Sequence, residues 1–104
     1  MRGVYILVLA VLIGLAPVTF GQSPPQPPHP GRLLASNCFQ CHGTNGRSLG
    51  SIPELAGEDA DDIFEALLEF RAQPANANVM HVQARGYTDA QLLLIADFFS
   101  KQPD

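Results

Sequence analysis

Sulfur and positive charge are both scarce in this chain. Its 104 residues hold two cysteines and two methionines, with six basic side chains against ten acidic ones. The shortage of basic residues argues against nucleic acid or an anionic lipid surface as a partner. Two cysteines allow a single disulfide, but here they lie three residues apart in Cys38-Phe39-Gln40-Cys41. A bridge across so small a ring would staple almost nothing, because stabilisation grows with loop length. No run alternates in the manner of a strand, so the βαβ frame of a thioredoxin-like redox pair is missing. There is no second C-x-x-C pair to complete a zinc site of the usual kind, although Cys38, Cys41, His42 and His81 together reach four donors. Nothing in the sequence assembles a nucleophile with an acid–base partner, which argues against substrate chemistry on this chain.

The N-terminus is of a different character. Arg2 precedes an apolar run from Val4 to Ala16, too short to span a bilayer and of the length of an export signal's apolar region. Cleavage after Gly21 would leave Gln22 first, so residues 1–21 read as a signal peptide and the destination as periplasmic. An uncleaved anchor is the competing reading, and no cysteine lies nearby to accept a lipid. The mature chain of roughly 83 residues keeps Arg32, Arg47, Arg71, Arg85 and Lys101 against ten acids, a formal charge of −5. A core of that size ordinarily needs a staple, a metal or a cofactor.

Residues 22–31, QSPPQPPHPG, contain five prolines in ten and read as an extended tether, with His29 exposed and idle. Residues 32–104 form the domain. RLLASNCFQCH (32–42) reads as a first helix, and EDADDIFEALLEFRAQ (58–73) as an amphipathic second one, with acids at its start and Arg71 near its end. Thr88 and Gln91 have capping-box spacing ahead of a third helix, whose stripe is Leu92, Ile95, Ala96 and Phe99. Residues 43–57 and 74–87 are aperiodic, and loops of such length in a small domain need something to wrap around. The expected fold class is all-α, with three main helices and two long loops.

Cys38, Cys41 and His42 share one face of a helical turn. C-x-x-C-H is the attachment signature of a c-type haem: two thiols form thioethers and the imidazole sits under the iron. Covalent haem attachment takes place outside the cytoplasm, in keeping with an export signal. With Met1 removed, Met80 is the methionine left to serve as the distal ligand, and a thioether there raises the reduction potential. His81 is the rival. In an extended segment the two side chains would point oppositely, which favours Met80.

From about Gly31 to Ser100 the chain resembles the small class I c-type cytochromes, and within them the monohaem cytochrome subunit of flavocytochrome c sulfide dehydrogenase. The resemblance rests on CFQCHGTNGRSLGSIPELAG, on FRAQ closing a helix, and on NVMHVQARGYTDAQLLLIADFFS. It implies one covalent haem c on Cys38 and Cys41, with iron ligands His42 and Met80. It places Pro53 where a proline carbonyl accepts the proximal imidazole N–H, and crosses the first and last helices at Leu34 and Phe98–Phe99. His81 departs from the pattern, which more often has a small residue after the methionine. The implied role is single-electron transfer, with an FAD-containing sulfide dehydrogenase subunit and other redox proteins as partners and no membrane contact after signal cleavage. A free periplasmic carrier feeding an oxidase or photosynthetic centre is the alternative. A peroxidase-like haem enzyme with Met80 displaced is another. The uncharged stretches around Ala35, Phe39 and Gln40, and from Ala75 to Val79, are the expected docking surface.

Overall fold

The computed structural model describes residues 14–104. Most of the expected export segment falls on residues 1–13 and so lies outside the described ones. From Gly14 to Pro28 the chain has neither helix nor strand and every residue is exposed, as so many prolines without backbone donors require. Among the described residues there is no strand, and no helix is long and apolar enough to cross a membrane.

Five short-to-medium helices follow: α1 (Arg32–Ala35), α2 (Phe39–His42), α3 (Ala60–Ala72), α4 (Val79–Ala84) and α5 (Asp89–Ser100). The expected first helix is present but tightens into a 3₁₀ turn at Ser36–Cys38 between α1 and α2. Ser36 donates its hydroxyl back to the Leu33 carbonyl at 2.6 Å there, a competing bond of the kind that bends helices. Asp59 caps α3 by accepting from the amides of Asp61 and Asp62. Thr88 and Gln91 complete the capping box of α5 in both directions.

The core lies where α1, α3 and α5 meet. Ala35, Ile63, Leu92, Ile95, Ala96, Phe98 and Phe99 are buried together, and Leu34, Phe64, Leu67 and Leu68 pack against them. The expected stripe of α5 is therefore the inward one, and Leu34 packs against the buried cluster that includes Phe98 and Phe99. The backbones come close one turn earlier than Leu34. A Cβ on Gly31 would stand 2.1 Å from the Leu94 carbonyl oxygen, so the first and last helices cross at a contact that admits no side chain.

Two expectations are corrected. The loop from Pro74 to Tyr87 is not wholly irregular: it folds into α4, capped by Asn78, whose side chain accepts from the Met80 amide at 2.7 Å. Six residues are too few to show a helical period. His29 is not idle either. Its Nε2 donates to Asp97 on α5 at 2.7 Å, its Nδ1 accepts from the Gly31 amide at 2.9 Å, and its ring meets Phe98 edge-on at 5.6 Å. A proline-rich approach does not prevent its last residues from docking.

Candidate haem-binding site

Cys38 ends the 3₁₀ turn, and Cys41 and His42 lie on α2, so both sulfurs and the imidazole project from about one helical turn. Both thiols are free; Cys38 is half-buried and Cys41 exposed. Burial, and to a smaller degree the neighbouring Cys41, push the Cys38 thiol up to about 11, so it is a neutral thiol at pH 7.

His42 is buried, and its Nδ1 donates to the Pro53 carbonyl at 2.6 Å. In the neutral ring that bond assigns the tautomer, with the proton on Nδ1 and the lone pair on Nε2. The path that brings Pro53 there is set by glycines. Gly43 ends α2 at φ +83, and a Cβ on it would stand 2.0 Å from the Arg47 carbonyl oxygen. Gly46, at φ +82, packs so tightly that a Cβ would come within 2.7 Å of the Phe99 ring. Its carbonyl accepts the amides of Leu55 (2.8 Å) and Ala56 (3.2 Å), and the Gly57 amide donates to the Phe99 carbonyl at 3.0 Å. The loop is thus sewn to α5, and Pro53 is delivered beneath His42.

Phe39, between the two cysteines, turns inward. It stacks near Phe98 (6.0 Å) and meets Phe99 edge-on (6.1 Å), so the motif is mounted on the core rather than on a free loop. This corrects the expected docking surface. Ala35 is fully buried and Phe39 belongs to the aromatic cluster, whereas Gln40 and Ala75 to Val79 are exposed. Leu33 (82%) and Val79 (70%) are the large apolar side chains most open to solvent beside these stretches.

Met80 and His81 occupy the first turn of α4, not an extended segment. Successive helical side chains diverge by roughly 100° rather than pointing oppositely. His81 is buried, with Nδ1 donating to the Phe70 carbonyl at 3.1 Å, while Met80 is half-buried and makes no such commitment.

The donor chemistry fits a c-type haem: two free thiols at i and i+3, a bare imidazole Nε2 at i+4, and a thioether in the second long connection. The sequence profile of the cytochrome c family matches residues 30–101. The chain belongs to the cytochrome c family. It is 38% identical over 69 residues to the cytochrome subunit of sulfide dehydrogenase of Chlorobaculum tepidum, covering 66% of this chain and 63% of that one. It is 36% identical over 78 residues to cytochrome c4 of Thiocapsa roseopersicina (73% of this chain, 40% of the relative). It is 33% identical over 76 residues to cytochrome c-554(548) of Halomonas halodenitrificans (69% and 92%). The chain thus spans less than two thirds of the first two relatives' length. As a cytochrome c it carries covalent haem c and transfers electrons without being the catalyst of a substrate reaction.

His29, Asn78 and the structural part of His81 escaped sequence reasoning. Asn78 had a signal, since Asn is a preferred N-cap. His29 and His81 had none, because their partners are distant in sequence.

Proposed function

We propose that this cytochrome is exported, cleaved after residue 21, and serves as the haem subunit that accepts electrons from a sulfide-oxidising flavoprotein. Residues 22–31 are its tether and 32–104 its haem domain. Cys38 and Cys41 would anchor the haem, and His42 Nε2 and the Met80 sulfur would hold the iron. The observation that carries the site is the His42–Pro53 hydrogen bond, which leaves the ring with one basic nitrogen and a fixed orientation. The similarity to the Chlorobaculum subunit supports the partner.

Haem c, when bound, supplies a one-electron couple. The chain sets how that couple behaves. Pro53 makes His42 a stronger donor by taking its N–H. The Met80 thioether favours the reduced state and raises the potential. Phe39, Phe98 and Phe99 keep the motif on a dry, rigid base, so little reorganises when the charge changes. Oxidation of sulfide would belong to the flavin partner, which passes electrons singly to this subunit and on to a further redox protein.

A freely diffusing carrier is the second reading. It is favoured by the match to cytochrome c-554(548), 92% of whose length is spanned. Gel filtration of the cytochrome from its native cells at roughly 0.5 M salt, where exposed charges are screened, separates the two. Co-elution with a flavin-containing protein supports the subunit; elution alone contradicts it. N-terminal sequencing of the same material should begin at Gln22.

A further inference from the structure

Helix α4 is too short to be stable by itself, and its apolar surface does little to hold it. Val79 and Val82 are 70% and 47% exposed. Its buried residues are His81 and Ala84, three apart on one face and turned towards α3. Of the two, His81 makes the directional contact. Its Nδ1 donates to the carbonyl of Phe70 at 3.1 Å, an oxygen in the last turn of α3 that also accepts the Gln73 amide at 3.2 Å. Carbonyls at a helix C-terminus lack the usual partner four residues on, so this one can take a side-chain donor.

That bond fixes how α4 is rotated about its own axis. Met80 precedes His81 by one residue and is therefore turned roughly 100° from the α3-facing side. Its backbone is held independently, by the Asn78 side chain at 2.7 Å. The end of α4 that carries the sulfur is thus fixed in place by Asn78 and in rotation by His81.

We propose that His81 is a positioning residue for Met80: its hydrogen bond to Phe70 keeps α4 in the rotation that holds the thioether on the iron and closes the sixth position to outside ligands. This rests on the reading of Met80 as the distal ligand. His81 is then neither a rival ligand nor filler, and a small residue in its place would hold the methionine less firmly.

The test uses the haem-loaded cytochrome and titrates its ferric form with imidazole, which competes with Met80, while following the weak far-red band of sulfur-ligated ferric haem. His81→Ala should keep the band without added ligand but bind imidazole about tenfold more tightly (~1.4 kcal/mol). His81→Gln, whose amide N–H can reach a carbonyl, should recover most of the difference. His81→Phe fills the space without donating; should the alanine variant not fold, it carries the same expectation. Wild-type imidazole affinity in both His81→Ala and His81→Phe would overturn the proposal. Met80→Ala is the separate control: if the far-red band survives in it, the ligand assignment itself is wrong, a different failure from an inert His81.

Discussion

His42 donates its Nδ1–H to the Pro53 carbonyl across 2.6 Å, and that oxygen is where it is because Gly46 lets the intervening loop lie against Phe99. A backbone carbonyl cannot be mutated away, but its position can. Gly46→Ala puts a Cβ at φ +82 and 2.7 Å from the Phe99 ring, a strain on the order of 1–3 kcal/mol. The expected result is a loss of roughly 5–15 °C in Tm and a changed reduction potential, read by thermal melting and redox titration. An unchanged potential in a destabilised protein would mean the loop supports the fold without tuning His42.

Met80→Ala should remove the far-red band, lower the reduction potential and admit external ligands to the iron. Absorption spectra and a potentiometric titration of the variant check this. A variant with the parent spectrum would remove Met80 from the site.

Asp97 receives hydrogen bonds from Lys101 at 2.8 Å and from His29 at 2.7 Å. Chiefly the Lys101 bond, then that of His29, holds its carboxyl below the ordinary carboxylate value. A depressed carboxylate stabilises the fold above its unfolded value near 4, and that stability is lost as pH falls through the folded value. Asp97 is 43% exposed, so each pair contributes below about 1 kcal/mol. Asp97→Asn should therefore lower Tm slightly at pH 7, with an effect that shrinks as pH falls below about 4, as melts of both proteins across that range would show. A difference that grows on acidification would contradict the clasp.

Charge placed on the exposed neutral surface should weaken a flavoprotein complex while sparing the haem spectrum. Leu33→Asp and Ala77→Asp are suitable because both positions are exposed. Phe39 is not, since it packs on Phe98 and Phe99. Binding that tolerates both changes but falls steeply with salt would indicate a transient, charge-steered partner.

The parts of this fold readable in advance are those with local signals. Helix α3 has Asp59 at its cap and a repeating apolar face; α5 has Thr88 and Gln91 and an uninterrupted stripe. The CFQCH motif is a local signal too, and the candidate site was legible chiefly through it. What stayed hidden depends on contacts between distant segments. Helix α4 is shorter than the window in which a period can be seen, and it forms because Asn78 caps it and His81 reaches Phe70. His29 is separated from Asp97 by 68 residues, and nothing near Pro30 announces the bond. The core contained a similar surprise. There α1, α3 and α5, far apart in sequence, bury an aliphatic and aromatic cluster together.

The most direct test is the intact mass of the purified cytochrome after acid–organic extraction, with peptide mapping of the haem-bearing fragment. A covalent haem makes the polypeptide heavier by one haem, with the added mass on the peptide containing Cys38 to His42 and lost in Cys38→Ser, Cys41→Ser double variants. A bare-chain mass from the unaltered protein, or haem recovered in the organic phase, would contradict it.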